Sequence, residues 1–145
     1  MPEFEYAKGR IAETIGFILE EIKEFELDYS AKTWQDYQAD KKLQKLVDRT
    51  IENILTAFIE LCGTIVTIKG IQAENYGDVV KKCAKFYHFS ESQQNDLAKL
   101  AVQRNRLAHR YLDFRWQAAK TFIQQKDLML QLLNLIFEGE KKLNK

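Results

Sequence analysis

The segment from Gln103 to Trp116 reads QRNRLAHRYLDFRW and gathers Arg104, Asn105, Arg106, His109, Arg110 and Tyr111, six polar or ionisable side chains in eight positions. The chain has only two histidines, and one of them stands here. Histidine is the side chain best suited to move protons near neutral pH, and arginine is the best fork for holding the charge of a phosphate. Together they suit phosphodiester chemistry. From Arg104 to Arg115 four arginines face the single acid Asp113, a local charge of +3 in a chain whose net charge is +1. The molecule as a whole is therefore no electrostatic magnet for nucleic acid, and any such site must be local.

On one straight α-helix five residues advance about 500° and about 7.5 Å, which leaves Arg104 and His109 roughly 140° apart. They do not share a face. Asn105 shares one with His109 at four residues' spacing, and Arg104 shares one with Tyr111 at seven. A compact site then needs a distorted helix or a second subunit. The plainer alternative is that these cations complement the macrodipole at a helix C-terminus, at about 0.3–1 kcal/mol each, while Tyr111 anchors packing. Composition and spacing alone favour that alternative.

The elements that must position these residues are helical. A single proline, Pro2, and six glycines leave little punctuation, so long elements are expected rather than many short strands. Ile11, Ile15, Ile18, Ile22 and Phe25 recur at three- and four-residue steps and predict a first helix over about 4–27. Residues 28–40 lose that period and form a connector with room for one helical turn, in which Trp34 and Tyr37 are expected to pin the chain onto the bundle. Asp40 is placed to cap a second helix whose apolar stripe runs from Leu43 to Val66 and ends towards Gly70. A shorter helix is predicted around 76–87, with Gly77 and Asp78 marking its start. Ser90 and Gln93 have capping-box spacing, so a fourth helix begins near Glu91 and is expected to end near Tyr111. Asp113 would then cap a last helix over about 114–141. Its run LMLQLLNLIF is broadly apolar, which fits either a dimer contact or a central place in a four- to five-helix bundle.

With 145 residues, 46% of them hydrophobic, the chain fits one all-α domain spanning 1–145 with a core that needs no staples. Cys62 and Cys83 show no CxxC or Cys/His grouping, so buried, reduced thiols are expected rather than a zinc site or a disulfide. His88 likewise has no ligand set around it and reads as structural. Trp116 reads as core, and Lys141 and Lys142 as a solvated helix end. The N-terminus lacks an apolar h-region, and no stretch approaches the roughly 18 unbroken apolar residues of a membrane span. A soluble cytoplasmic protein with no membrane partner and no cofactor is the expectation.

The string RNRLAHRY has the form Arg-x4-His-x-Tyr and resembles the HepT-like toxins of the HEPN superfamily. The likeness extends to the amphipathic first helix, the long helix entered through KLVDRTIENIL, the segment NYGDVVKKCAKF and the approach SESQQNDLAKLAVQRNRLAHRY, about residues 4–140 in all. The resemblance implies a metal-independent endoribonuclease that acts as a homodimer with both motifs facing one cleft. His109 would be general acid or base, and Arg104 would stabilise charge on the phosphate. Asn105 would touch substrate or orient His109, and Arg106 and Arg110 would position RNA backbone. Tyr111 matches the position that a partner nucleotidyltransferase antitoxin modifies with AMP. The chain carries no nucleotidyltransferase signature, so that partner would be a separate protein.

One departure stands in the middle of the second helix. Many relatives carry a glutamate there, whereas this chain has Thr56 before Ala57, with Glu52 and Glu60 one turn away on either side. Two other readings stay open: a non-catalytic nucleotide- or substrate-binding subunit of a nucleotidyltransferase, and a purely structural dimer.

Overall fold

The isoleucine stripe of the N-terminal segment buries as expected. In the computed structural model, which describes residues 10–143, Ile11, Ile15, Ile18, Ile22 and Phe25 form the inward face of α1 (Ile11–Asp28). The expected start near residue 4 lies outside the described residues. The connector holds a helix of its own, α2 (Trp34–Ala39), too short for periodicity to reveal. It is announced instead by a capping box: Thr33 Oγ1 accepts from the Asp36 amide at 3.1 Å, and the Asp36 carboxylate accepts from the Thr33 amide at 3.0 Å. Tyr37 is fully buried, its ring 4.9 Å from that of Trp116, so these aromatics pin the connector as expected.

Asp40 caps α3 (Lys41–Ile68) by accepting from the amides of Lys42 and Leu43. The stripe from Leu43 to Val66 is buried, and α3 packs against all five other helices. By length and composition this helix could cross a membrane, although Glu52 and Glu60 interrupt its apolar run. Its apolar residues are instead covered by the chain's own helices: Ile51, Ile54, Leu55, Phe58 and Cys62 have no exposed surface. The helix stops at Gly70, held at φ 70°, with the Ile71 amide donating to the Val66 carbonyl at 2.8 Å. A left-handed residue at this position lets the last carbonyls be satisfied, and glycine adopts it without steric cost.

Asn75, rather than Gly77 and Asp78, marks the start of α4 (Tyr76–Phe86), its Oδ1 accepting from the Asp78 amide at 2.9 Å. The same closing motif recurs at the other end with a histidine in glycine's place. His88 sits at φ 68°, its amide donating to Lys85 and that of Phe89 to Ala84. The histidine therefore closes a helix, consistent with a structural role. Ser90 and Gln93 form the expected capping box at the start of α5 (Glu91–Arg106).

The last helix, α6 (Leu112–Leu143), buries Met129, Leu132, Leu133 and Ile136 within the bundle, while Leu135 remains 39% exposed. Most of its apolar surplus is thus covered by its own chain. Six helices and no strand occur among the described residues, and their buried side chains form one continuous core. The fold is an all-α bundle. Cys62 and Cys83 are free and buried, and burial pushes the Cys62 thiol well above its ordinary range.

Candidate functional site

Two leucines explain why the chemistry-bearing segment is bent. Leu107 and Leu112 both pack against the core, yet five residues on a straight helix would point them roughly 140° apart. The chain resolves the conflict by ending α5 at Arg106, not near Tyr111 as expected, and turning through residues 107–111. The Ala108 and His109 amides make short-range bonds to the Asn105 and Arg106 carbonyls, at 3.3 and 3.2 Å. α6 then begins at Leu112, two residues earlier than expected, so Asp113 lies inside its first turn rather than capping it. There its charge favours the positive end of the helix dipole.

This break separates the sequence-predicted residues into two groups. Arg104 turns towards α3: its Nε donates to Thr56 Oγ1 at 3.0 Å, and its guanidinium carbon lies 5.9 Å from the centre of the Tyr76 ring. It lines an open cleft of about 670 Å³ with Phe17 of α1, Leu107 and the polar face of α3. His109, Arg110 and Tyr111 belong to the exposed turn. The His109 ring meets the Phe114 ring edge to face at 5.0 Å and lies near-parallel to the Tyr111 ring at 6.3 Å. Arg106 sits over Phe114 at 5.8 Å, and Arg110 over Tyr111 at 5.4 Å.

The expected helical pairings of Asn105 with His109, and of Arg104 with Tyr111, do not survive, because the helix ends between their members. Asn105 is exposed. The cleft that Arg104 lines does not include His109.

A buried network braces this junction from below. Arg115, in the first turns of α6, pairs with Asp48 of α3 at 2.7 Å, and the Tyr37 hydroxyl donates to the other Asp48 oxygen at 2.7 Å. Burial pushes the Asp48 carboxyl above its usual range, against the pull of Tyr37's hydrogen bond and Arg115's charge. Burial and the adjacent carboxylate likewise raise the Tyr37 phenol. One helix turn of backbone links the brace to the site, since the Arg115 amide donates to the Tyr111 carbonyl at 3.3 Å.

Sequence reasoning did not anticipate Asp48, Tyr76 or Phe114, counted Arg115 only among the arginines of the basic window, and named Thr56 only as a departure. The signal that pointed to Thr56's surroundings is the stripe Lys45, Arg49, Glu52, Thr56 and Glu60, a polar face at three- and four-residue steps on an otherwise apolar helix. The Asp48–Arg115 pair, 67 residues apart, leaves no such trace.

Residues 18–133 match the family model described as ribonuclease HepT-like. That span is well over half of the chain and contains the turn and every residue lining the cleft except Phe17. The chain belongs to the HepT-like ribonuclease family. Comparison with curated proteins returned no match. Membership accounts for the helical architecture.

Proposed function

We propose that this HepT-like protein is a metal-independent endoribonuclease, the toxin of a toxin–antitoxin pair, and that it cuts RNA in the cytoplasm with Arg104 and His109. The observation that carries the reading is the divergence of these two side chains within a bent Arg-x4-His segment of a family ribonuclease. One chain supplies a fixed cation in a cleft and an exposed imidazole on the adjoining turn. A homodimer that opposes two such turns brings the arginine of one copy to the histidine of the other.

In that site one His109 takes the proton of a ribose 2′-hydroxyl, whose oxygen attacks the adjacent phosphorus. The bond from phosphorus to the 5′-oxygen breaks, and the protonated His109 returns its proton, relayed through water, to that leaving oxygen. The products are a 2′,3′-cyclic phosphate and a 5′-hydroxyl. Arg104 neutralises charge building on the phosphoryl oxygens, held ready by Thr56 and Tyr76 so that little reorganisation is needed. Arg106 and Arg110 hold flanking phosphates without reading sequence, and Asn105, exposed beside them, is a further phosphate contact. Tyr111, 51% exposed, is accessible to AMP transfer by a nucleotidyltransferase antitoxin. The added bulk and negative charge beside His109 would oppose RNA binding.

Expression in a bacterial host tests the reading. The parent should arrest growth, and His109→Ala should be tolerated at equal protein level. A His109→Ala protein as toxic as the parent would overturn the catalytic assignment. Light scattering should find a dimer at micromolar concentration, and a strict monomer would contradict the shared site.

A further inference from the structure

Arg104 stands in an unfavourable place for a group that must attract RNA. Glu52 and Glu60 line the same cleft, one helical turn on either side of the Thr56 that holds it. Arg115 also lines the cleft, but its charge is already committed to Asp48. Affinity for a polyanion within the cleft must therefore come from cations there that are still uncommitted.

Lys45 and Arg49 meet both conditions. Both line the cleft, both are exposed, and neither makes an ion pair among the described residues. Their register on α3 aligns them with the arginine. From Arg49 to Thr56 seven residues return to within about 20° of the same face and advance about 10.5 Å, and Lys45 lies a further 6 Å or about one turn beyond. The two cations thus stand in line with the point where α3 grips Arg104, on the side away from Glu60.

We propose that Lys45 and Arg49 form a phosphate track that leads the backbone of single-stranded RNA along α3 to Arg104. The inference rests on the ribonuclease reading and adds to it the path of the substrate. The track touches phosphates upstream or downstream of the cut and not the reacting atoms, so it sets affinity without sequence preference.

The test is a salt titration of binding, using a labelled 2′-O-methyl oligoribonucleotide of mixed sequence. Methylation removes the attacking hydroxyl, so binding is read without cleavage. Each phosphate contact on a single strand contributes about 0.7 to the slope of log affinity against log salt concentration. Lys45→Ala and Arg49→Ala should each lower the slope by about 0.7, and the double variant by about 1.4. Lys69→Ala, on the same helix but about 36 Å from Lys45 along its axis, should leave the slope unchanged. All three positions are on the surface, so folding is not at stake. If the parent binds and the double variant shows the parent's slope, the track is wrong and the ribonuclease reading stands. If the folded parent does not bind the oligonucleotide at any salt concentration, both fall.

Discussion

Arg104 Nε donates a 3.0 Å hydrogen bond to Oγ1 of Thr56, a residue 48 positions earlier on the central helix. The bond uses the inner nitrogen of the guanidinium and not its two terminal nitrogens. Tyr76 stands across from it as a ring platform 5.9 Å from the guanidinium carbon. The threonine therefore meets the arginine as a neutral acceptor.

Thr56→Val keeps the shape of the side chain and removes the acceptor. A hydrogen bond to a charged group is worth about 1.5–3 kcal/mol, so the rate of RNA cleavage should fall by about tenfold or more. Thr56→Ser should retain most activity. Single-turnover cleavage by the two variants checks this, with equal rates contradicting a role for the hydroxyl.

Arg115→Met removes the cation that stabilises the Asp48 carboxylate. The pair is mostly buried, with side chains 21% and 14% exposed, and its loss should cost roughly 1–3 kcal/mol at pH 7. The sign with pH follows from burial, which already raises the native Asp48 above its usual range. Between the unfolded value, about 4, and the raised native value, folding takes up a proton and stability falls as pH rises. Without Arg115 that native value climbs further, so the variant's deficit should be full at neutral pH and shrink towards pH 4. Urea denaturation at several pH values measures it, and a pH-independent deficit would contradict the assignment.

His88 occupies a left-handed backbone position that glycine fills at the end of α3. A non-glycine residue pays about 1–2 kcal/mol there, offset in part by glycine's greater unfolded-state freedom. His88→Gly should therefore be neutral or stabilising by up to about 1 kcal/mol, with cleavage unchanged. Thermal denaturation and an activity assay on the same preparation decide it. Lost activity would give His88 a chemical role that its position does not suggest.

The long elements could be read from the chain because their stripes are local: isoleucines in α1, and the run from Leu43 to Val66 in α3, need no knowledge of distant residues. Asp40 and the Ser90–Gln93 box announced their helices for the same reason. The break after Arg106 escaped because no glycine or proline marks it. It arises from packing, since Leu107 and Leu112 must both reach a core built by other helices. The run of polar and basic residues at 104–111 was legible in the chain, but its division between cleft and turn depends on that break. Asp48 with Arg115, and Thr56 with Arg104, are meetings of residues 67 and 48 positions apart, which no local pattern encodes.

The division of Arg104 from His109 makes a complementation test available. Arg104→Ala and His109→Ala should each be inactive alone. Mixed as equal, exchanging dimers, they should regain about a quarter of parental activity, because half the dimers are mixed and each of those holds one intact site. No recovery, with exchange verified, would place both residues of a site in one chain.

Purified protein should next be incubated with total cellular RNA in the presence of EDTA, beside Arg104→Ala and His109→Ala, and the fragment ends analysed. Cleavage by the parent alone, leaving 2′,3′-cyclic phosphate and 5′-hydroxyl ends, is the predicted result. No cleavage by a folded parental dimer would contradict the ribonuclease reading, and equal cleavage by His109→Ala would contradict the chemistry assigned to its histidine.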